Sequence, residues 1–411
     1  MTSFIHQELN KHQSHDDFIR YLLEKGIVYN INADLNLNIL KYDKKNPNCD
    51  LNDPFTRVCR GLVIDNTTRE IVCFPPEKSI NFQNLFQPGT DFSGVGIDDF
   101  IDGTMINLFN YNNQWHISTR SRIGANCSWL GNKSFNEMFE DAKDNLDYNK
   151  LETDKCYTFV LRHPENRIVM QYNKADLVFV QVRDLNTLNI LNIYDYAEML
   201  KSKGVEVQLP KRHSFKNIDE ITKYISDMDW QEQGLVFKIG NNRSKIRNQK
   251  YNYVKSMRGN NPKVFYNYLE LRNNKMIKEY LHYFPEYSEE FQGYRDEINR
   301  MTNLLHKCYM NYRIHKSIQY DTIPYELRPL MYELHGHHLN HNVKITFEHV
   351  RNYFNALPIK KIIFIINYKK NQQYYESKLN ASVENNNNVE NNRGNSVDDM
   401  NVDNQTVEVV N

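Results

Sequence analysis

Between Arg57 and about Arg183 the chain reads as strand after strand. The runs RVCRGLVID, REIVCF, TMINLFN, QWHIST, KCYTFVL, RIVMQY and LVFVQVR are rich in β-branched and aromatic residues, as strands are. Asn, Asp and Gly breaks such as Asp65-Asn66 and Asn110–Asn113 separate them. One helix is expected near Ser134–Asp144, two more near Tyr194–Lys203 and Ile218–Met228, and a further strand, GLVFKI, from Gly234. Upstream, DDFIRYLLEK at Asp16–Lys25 predicts a short amphipathic helix ended by Gly26. The character changes at Gly259-Asn260-Asn261-Pro262. Beyond it Phe291, Tyr294, Ile298, Met301, Leu305 and Cys308 recur every three or four residues, one face of a long helix. Leu330–Leu339 and Phe347–Leu357 read as two more helices, and IIFII at Ile362–Ile366 fits either a strand or a buried helix. The pattern is α+β followed by all-α.

A chain of 411 residues has material for two or three domains. The expected division is an N-terminal helical or irregular extension (1–56), an α+β domain (57–260), a helical C-terminal domain (261–376) and a disordered acidic, Asn-rich tail (377–411). Net charge is zero, with 51 basic and 51 acidic residues. The balance hides an asymmetry, because from Leu379 onward Arg393 faces six acids, leaving the tail at −5 and the body at +5. Such a tail buries too little apolar surface to offset its ordering entropy. No apolar run approaches the ~20 residues of a membrane span, and the first residues lack the basic and apolar regions of a secretory signal. Six scattered cysteines without a C-x-x-C pair argue against a disulfide framework or a thiolate zinc site, and for a reducing intracellular compartment, the cytoplasm.

P-loop, G-x-G-x-x-G, G-x-S-x-G and H-E-x-x-H motifs are all missing. What the chain has is an ordered series of polar patches on strands: CRGLVID (Cys59–Asp65), PPEKSINFQN (Pro75–Asn84), FIDGT (Phe100–Thr104), STRSRIG (Ser118–Gly124), TFVLRHPENRIVMQY (Thr158–Tyr172), QGLVFKI (Gln233–Ile239) and KIRNQKYNYVKSMRGN (Lys245–Asn260). This order resembles the covalent nucleotidyltransferase superfamily, most closely the phage-type RNA ligases that repair tRNA breaks, and the ligase-like proteins of large DNA viruses. The resemblance covers roughly Arg57 to Asn260. It implies a nucleotidyltransferase fold of ATP-grasp-like antiparallel sheets, RNA as partner, and ATP with Mg as cofactors if the chain is a working ligase. In that family a K-x-D-G lysine attacks the ATP α-phosphate, two glutamates work around ribose and metal, and a final basic motif neutralises phosphate.

The chain departs from that pattern at the chemistry. Phe100 stands at the lysine position, Val160 at the first glutamate and Gln233 at the second. Glu232 is one residue too early and faces the other side of its strand. Asp102 and Gly103 of K-x-D-G are kept. By the resemblance, Arg60, Lys78, Asp102, Gly103, Lys245 and Arg247 meet nucleotide or phosphate, and Arg120, Arg122, Lys250, Lys255 and Arg258 meet RNA. From Lys238 to Arg258 there are seven basic residues and no acid, with Tyr251 and Tyr253 among them, which suits a phosphate backbone and unstacked bases. The expected function is a degenerate RNA-ligase-like protein, viral by resemblance and working in host cytoplasm or virion, that binds RNA without forming lysyl-AMP. The alternatives are an active ATP-dependent RNA ligase with a relocated nucleophile such as Lys78, and a scaffold whose helical domain and tail bind protein partners. Lys41-Tyr42-Asp43-Lys44 looks like K-x-D-G by chance, since it lacks the glycine and precedes Arg60. His335, His337, His338 and His341 read as a polar helix end broken at Gly336 rather than a metal site, and His163 as a loop residue.

Overall fold

The structure is a computed structural model that describes residues 2–373 apart from 130 and 145; the expected acidic tail lies outside the described residues. The chain divides into two compact units, Met1–Pro262 and Lys263–Asn411.

The first unit holds thirteen strands in three antiparallel sheets. In chain order they are β1 (Ile27–Asn32), β2 (Leu37–Tyr42), β3 (Arg60–Asp65), β4 (Ile71–Cys73), β5 (Gly96–Asp99), β6 (Thr104–Tyr111), β7 (Gln114–Ser118), β8 (Lys155–Arg162), β9 (Asp176–Asp184), β10 (Ile190–Leu191), β11 (Arg212–His213), β12 (Gly234–Ile239) and β13 (Asn242–Arg247). The sheets run β1-β2-β3-β4, β10-β9-β8-β6-β7 and β11-β5-β12-β13. Residues 1–56, expected as a helical or irregular extension, contribute β1 and β2 to the first sheet. Their Asn-rich sequences, IVYNIN and LNILKY, hid them, although Leu37, Ile39 and Leu40 are fully buried.

Helices Thr2–Asn10 and His15–Glu24 close one face of this sheet through Ile5, Leu9, Phe18 and Leu22. The second begins at Ser14, whose hydroxyl accepts from the Asp17 amide at 3.0 Å, with Asp16 and Asp17 complementing the helix dipole. Leu37, Ile39 and Val63 of the first sheet share a core with Phe109 and Cys156 of the second. Helices Phe135–Ala142 and Ile193–Ser202 cover the second sheet through Met138, Phe139, Ile193 and Leu200. The third sheet buries Ile97, Leu235 and Phe237 against Phe86, Phe92 and Ile221.

RIVMQY, expected as a strand, is a loop at residues 167–172. The basic motif splits into β13 and a helix, Gln249–Arg258, capped by the Asn248 side chain.

In the second unit the expected stripe forms. Phe291, Ile298, Met301, Leu305 and Cys308 are buried along helix Ser288–Tyr309. Helices Arg328–His341 and Phe347–Asn355 pack on it. IIFII is helical, within residues 359–373, and buries Ile362 and Ile365. Gly336 lies inside helix Arg328–His341 and does not break it. No helix among the described residues is long and apolar enough to cross a membrane.

Candidate functional site

β13 carries the chemistry by simple alternation. Arg243, Lys245 and Arg247 point to one side, into a cavity of about 320 Å³. Ser244 and Ile246 point to the other. The Ser244 hydroxyl donates to the Ile80 carbonyl at 2.9 Å, and Ile246 packs on the apolar core of the third sheet. The opposite wall is β6, β8 and β9, through Met105, Val160, Val180 and Gln181.

The PPEKSIN segment is strapped across the mouth. The Lys78 amide donates to the Arg57 carbonyl at 3.1 Å, and the Ile80 amide to the Arg243 carbonyl at 2.8 Å. Glu77 is buried beneath, 3.7 Å from Arg183, whose guanidinium lies 3.8 Å from the centre of the Phe74 ring. The strap thereby brings Lys78 to the cavity, where its ammonium donates to the Ser79 carbonyl at 2.9 Å. From the first sheet comes Arg60, which donates to the Pro76 carbonyl at 3.0 Å. Arg120 stands at the rim with its guanidinium 5.1 Å from the Tyr42 ring centre.

Phe100 follows β5, its amide donating to the Gly234 carbonyl at 2.8 Å. Lys245 Nζ lies 5.1 Å and the Arg247 guanidinium 5.3 Å from its ring centre. Cations attract the negative face of an aromatic ring, so Phe100 holds both in place. Burial, then Arg247, Arg243, Arg60 and Lys78, push the Lys245 ammonium down to about 7. Burial is also the main cause that depresses Lys78, Lys255 and Arg60. The cavity therefore holds more positive charge than its own groups can stabilise.

The cavity gathers Arg60, Lys78, Gly103, Arg120, Lys245, Arg247 and Lys255 from the expected set, together with Phe100, Val160 and Gln233. It does not gather Asp102. That carboxylate accepts from the amides of Val169 and Met170 at 3.0 and 2.8 Å and from the Tyr251 hydroxyl at 2.8 Å. It pins the 167–172 loop and helix Gln249–Arg258 together. Tyr251, expected to meet bases, is buried in the same clamp, whereas Tyr253 is exposed. Gly103 is required by its own backbone, at φ +151°, where a Cβ would meet Val160 Cγ1 at 2.7 Å.

Arg122, Lys250 and Arg258 do not line the cavity. Arg122 is exposed and donates to the Asn126 carbonyl at 3.3 Å, while the Lys250 ammonium donates to the Met228 carbonyl at 2.9 Å. Glu232 lies before β12 and not within it, so strand alternation does not place it; its carboxylate accepts from the Asp229 amide at 3.0 Å, off the cavity.

Lys238, one of the seven cations of the basic run, pairs with Asp98 at 2.8 Å inside the cavity. Sequence reading missed Gln181, Tyr42 and Lys44 as lining residues. Gln181 buries an amide nitrogen with no partner among the described residues; one polar residue within LVFVQVR was its only signal. Tyr42 and Lys44, from the segment set aside as chance, line the wall without acting as a K-x-D-G equivalent. Of the histidines, His338 Nδ1 lies 2.8 Å from the Val343 carbonyl, and no group of three metal-binding side chains gathers among the described residues.

The site is thus a cationic cavity walled by antiparallel sheets, with the ordered sequence motifs distributed on those walls. Two curated proteins are similar in sequence. One is named as a bifunctional polynucleotide kinase/RNA ligase of Autographa californica nuclear polyhedrosis virus, 26% identical over 62% of this chain and 38% of that protein. The other is an RNA ligase of Rhodothermus phage RM378, 23% identical over 44% of this chain and 49% of that protein. The matches thus span half or less of these relatives' own length. Among solved structures, an archaeal ATP-dependent RNA ligase is 14% identical, covering 70% of this chain and 72% of its own, with a TM-score of 0.43. A Naegleria gruberi RNA ligase with ATP and Mn is 13% identical, covering 44% and 58%, with a TM-score of 0.36. No family model matches the sequence. The sequence relatives are thus a viral and a phage protein, both named as RNA ligases.

Proposed function

We propose that this chain binds the phosphates of an RNA end, or of a nucleotide, in the β13 cavity and does not form lysyl-AMP. The observation that carries the reading is Phe100. A benzyl group stands where the family's attacking amine would be, and Lys245 and Arg247 pack on its face. A ring has no lone pair to attack phosphorus, so losing it removes the covalent step and not merely a rate factor. The surrounding cations keep what binding needs. RNA recognition through phosphate predicts affinity that falls steeply with salt.

The test is incubation of the purified chain with α-labelled ATP and a divalent metal, followed by a denaturing gel, beside an active ligase. The expected result is no labelled band, with RNA binding that weakens as salt rises. A labelled band overturns the loss of chemistry, and salt-insensitive or undetectable RNA binding overturns the phosphate reading.

One observation favours a second reading, an active ligase with a relocated nucleophile. The Lys245 amine is depressed to about 7, so part of it is unprotonated at neutral pH, as a nucleophile must be. It is a better candidate than Lys78, whose ammonium donates to the Ser79 carbonyl. Under this reading the labelled band forms and disappears in Lys245→Ala.

A further inference from the structure

We infer that the cavity takes its phosphate ligand as the free anion, and that a divalent cation competes with the site instead of completing it. The inference rests on the phosphate reading above and departs from the metal dependence that the family resemblance implies.

The donor set does not fit a hard divalent ion. Magnesium takes six oxygens, several of them waters and ligand phosphates, and is anchored by one or two protein carboxylates. The two positions where the family places glutamates hold Val160, which has no donor, and Gln233, which is neutral. Two carboxylates do reach the cavity, and both are engaged. Asp98 gives one oxygen to Lys238 at 2.8 Å and the other to the Tyr194 hydroxyl at 2.7 Å. Asp99 gives one to His213 at 2.6 Å, which leaves a single protein carboxylate oxygen for a metal.

The rest of the wall is arranged for an anion. Arg243, Lys245 and Arg247 share one face of β13, and Arg60 and Lys78 are close enough to depress Lys245 by their charge. A cation added here meets that repulsion, whereas an anion relieves it. Two buried donors have no partner among the described residues, Gln181 Nε2 and Arg247 Nε. An unpaired buried donor costs about 1–3 kcal/mol and is satisfied by an acceptor oxygen, never by a metal ion. Magnesium complexation strips two charges from a polyphosphate and occupies the oxygens these donors need.

The experiment uses the full chain, inorganic tripolyphosphate as probe and isothermal titration calorimetry, in metal-stripped buffer and again with saturating magnesium. Magnesium should weaken binding by about tenfold or more, a change worth about 1.4 kcal/mol. The Lys245→Gln/Arg247→Gln double variant should lose the metal-free binding, and retention there overturns the assignment to this cavity. Gln233→Glu changes little in size and returns one carboxylate. It should weaken metal-free binding and reverse the sign of the magnesium effect. Equal or tighter binding of the unaltered chain in magnesium overturns the inference and leaves the phosphate reading standing. No binding in either buffer overturns both.

Discussion

Lys245 gives phosphate binding a pH dependence that can be worked out in advance. Its ammonium is pushed down to about 7 from an ordinary 10.5, first by burial and then by Arg247, Arg243, Arg60 and Lys78. A bound phosphate favours the charged form, so above pH 7 binding must draw in a proton. One proton per site sets the limit: affinity falls by up to about tenfold, or ~1.4 kcal/mol, per pH unit. From pH 7.5 to 9 the loss is about thirtyfold at most. The last proton of free tripolyphosphate leaves within the same window, so the amine's share is read as the difference from Lys245→Arg, which keeps the ligand's share. The other groups facing the amine are separated from it by substitution. Lys238 is paired with Asp98, and burial, then Arg60, pushes Arg243 down to about 9. Lys78 and Lys255 are depressed too, so Lys245→Arg isolates the effect by replacing the amine with a permanent charge.

The assay is calorimetry with tripolyphosphate in buffers of different ionisation enthalpy, which counts protons taken up directly. Uptake should approach one proton at pH 8.5, and Lys245→Arg should bind with a flatter pH profile. The unliganded protein carries the complementary signature. The folded value lies below the unfolded one, so between about pH 7 and 10.5 the unfolded chain holds the extra proton. Lys245 should therefore contribute stability that rises with pH across that window, and Lys245→Gln should reduce the rise. Affinity that stays level from pH 7.5 to 9, with no proton uptake, would refute the argument.

Three other outcomes are expected. Asp102→Ala strips the partners from two backbone amides and the Tyr251 hydroxyl, and should lower unfolding free energy in urea by about 3 kcal/mol or more, each buried donor costing ~1–3. Gly103→Ala forces a Cβ against Val160 at φ +151°, and should destabilise by at least ~2 kcal/mol in the same titration. Arg120 reaches the cavity and Arg122 does not, so Arg120→Ala should weaken RNA binding and shallow its salt slope by about one contact, while Arg122→Ala leaves filter-binding affinity nearly unchanged.

The fold was legible where one periodicity ruled and illegible where two forces competed. The stripe from Phe291 to Cys308 and the runs of β3, β6, β8 and β9 each bury a regular face, so pattern and structure agree. RIVMQY has strand composition, yet its amides are spent on the Asp102 carboxylate instead of a neighbouring strand. No local pattern records a partner 67 residues away. IIFII was undecidable because an all-apolar run carries both periods at once.

The site shows the same division at finer grain. Types and order of residues were readable, so most of the cavity's basic wall could be named before any geometry. Whether a retained motif residue still served its family role was not readable. Asp102 clamps a loop to a helix through contacts that need no nucleotide. Lys245 and Arg247 lie against the Phe100 ring. The first arrangement is explained by folding alone. The second leaves a buried cluster of like charges with unpaired donors, which folding alone disfavours. A cluster of that kind is stabilised by an anion that neutralises it, which is why the binding experiments on β13 carry more of the functional question than any substitution at Asp102.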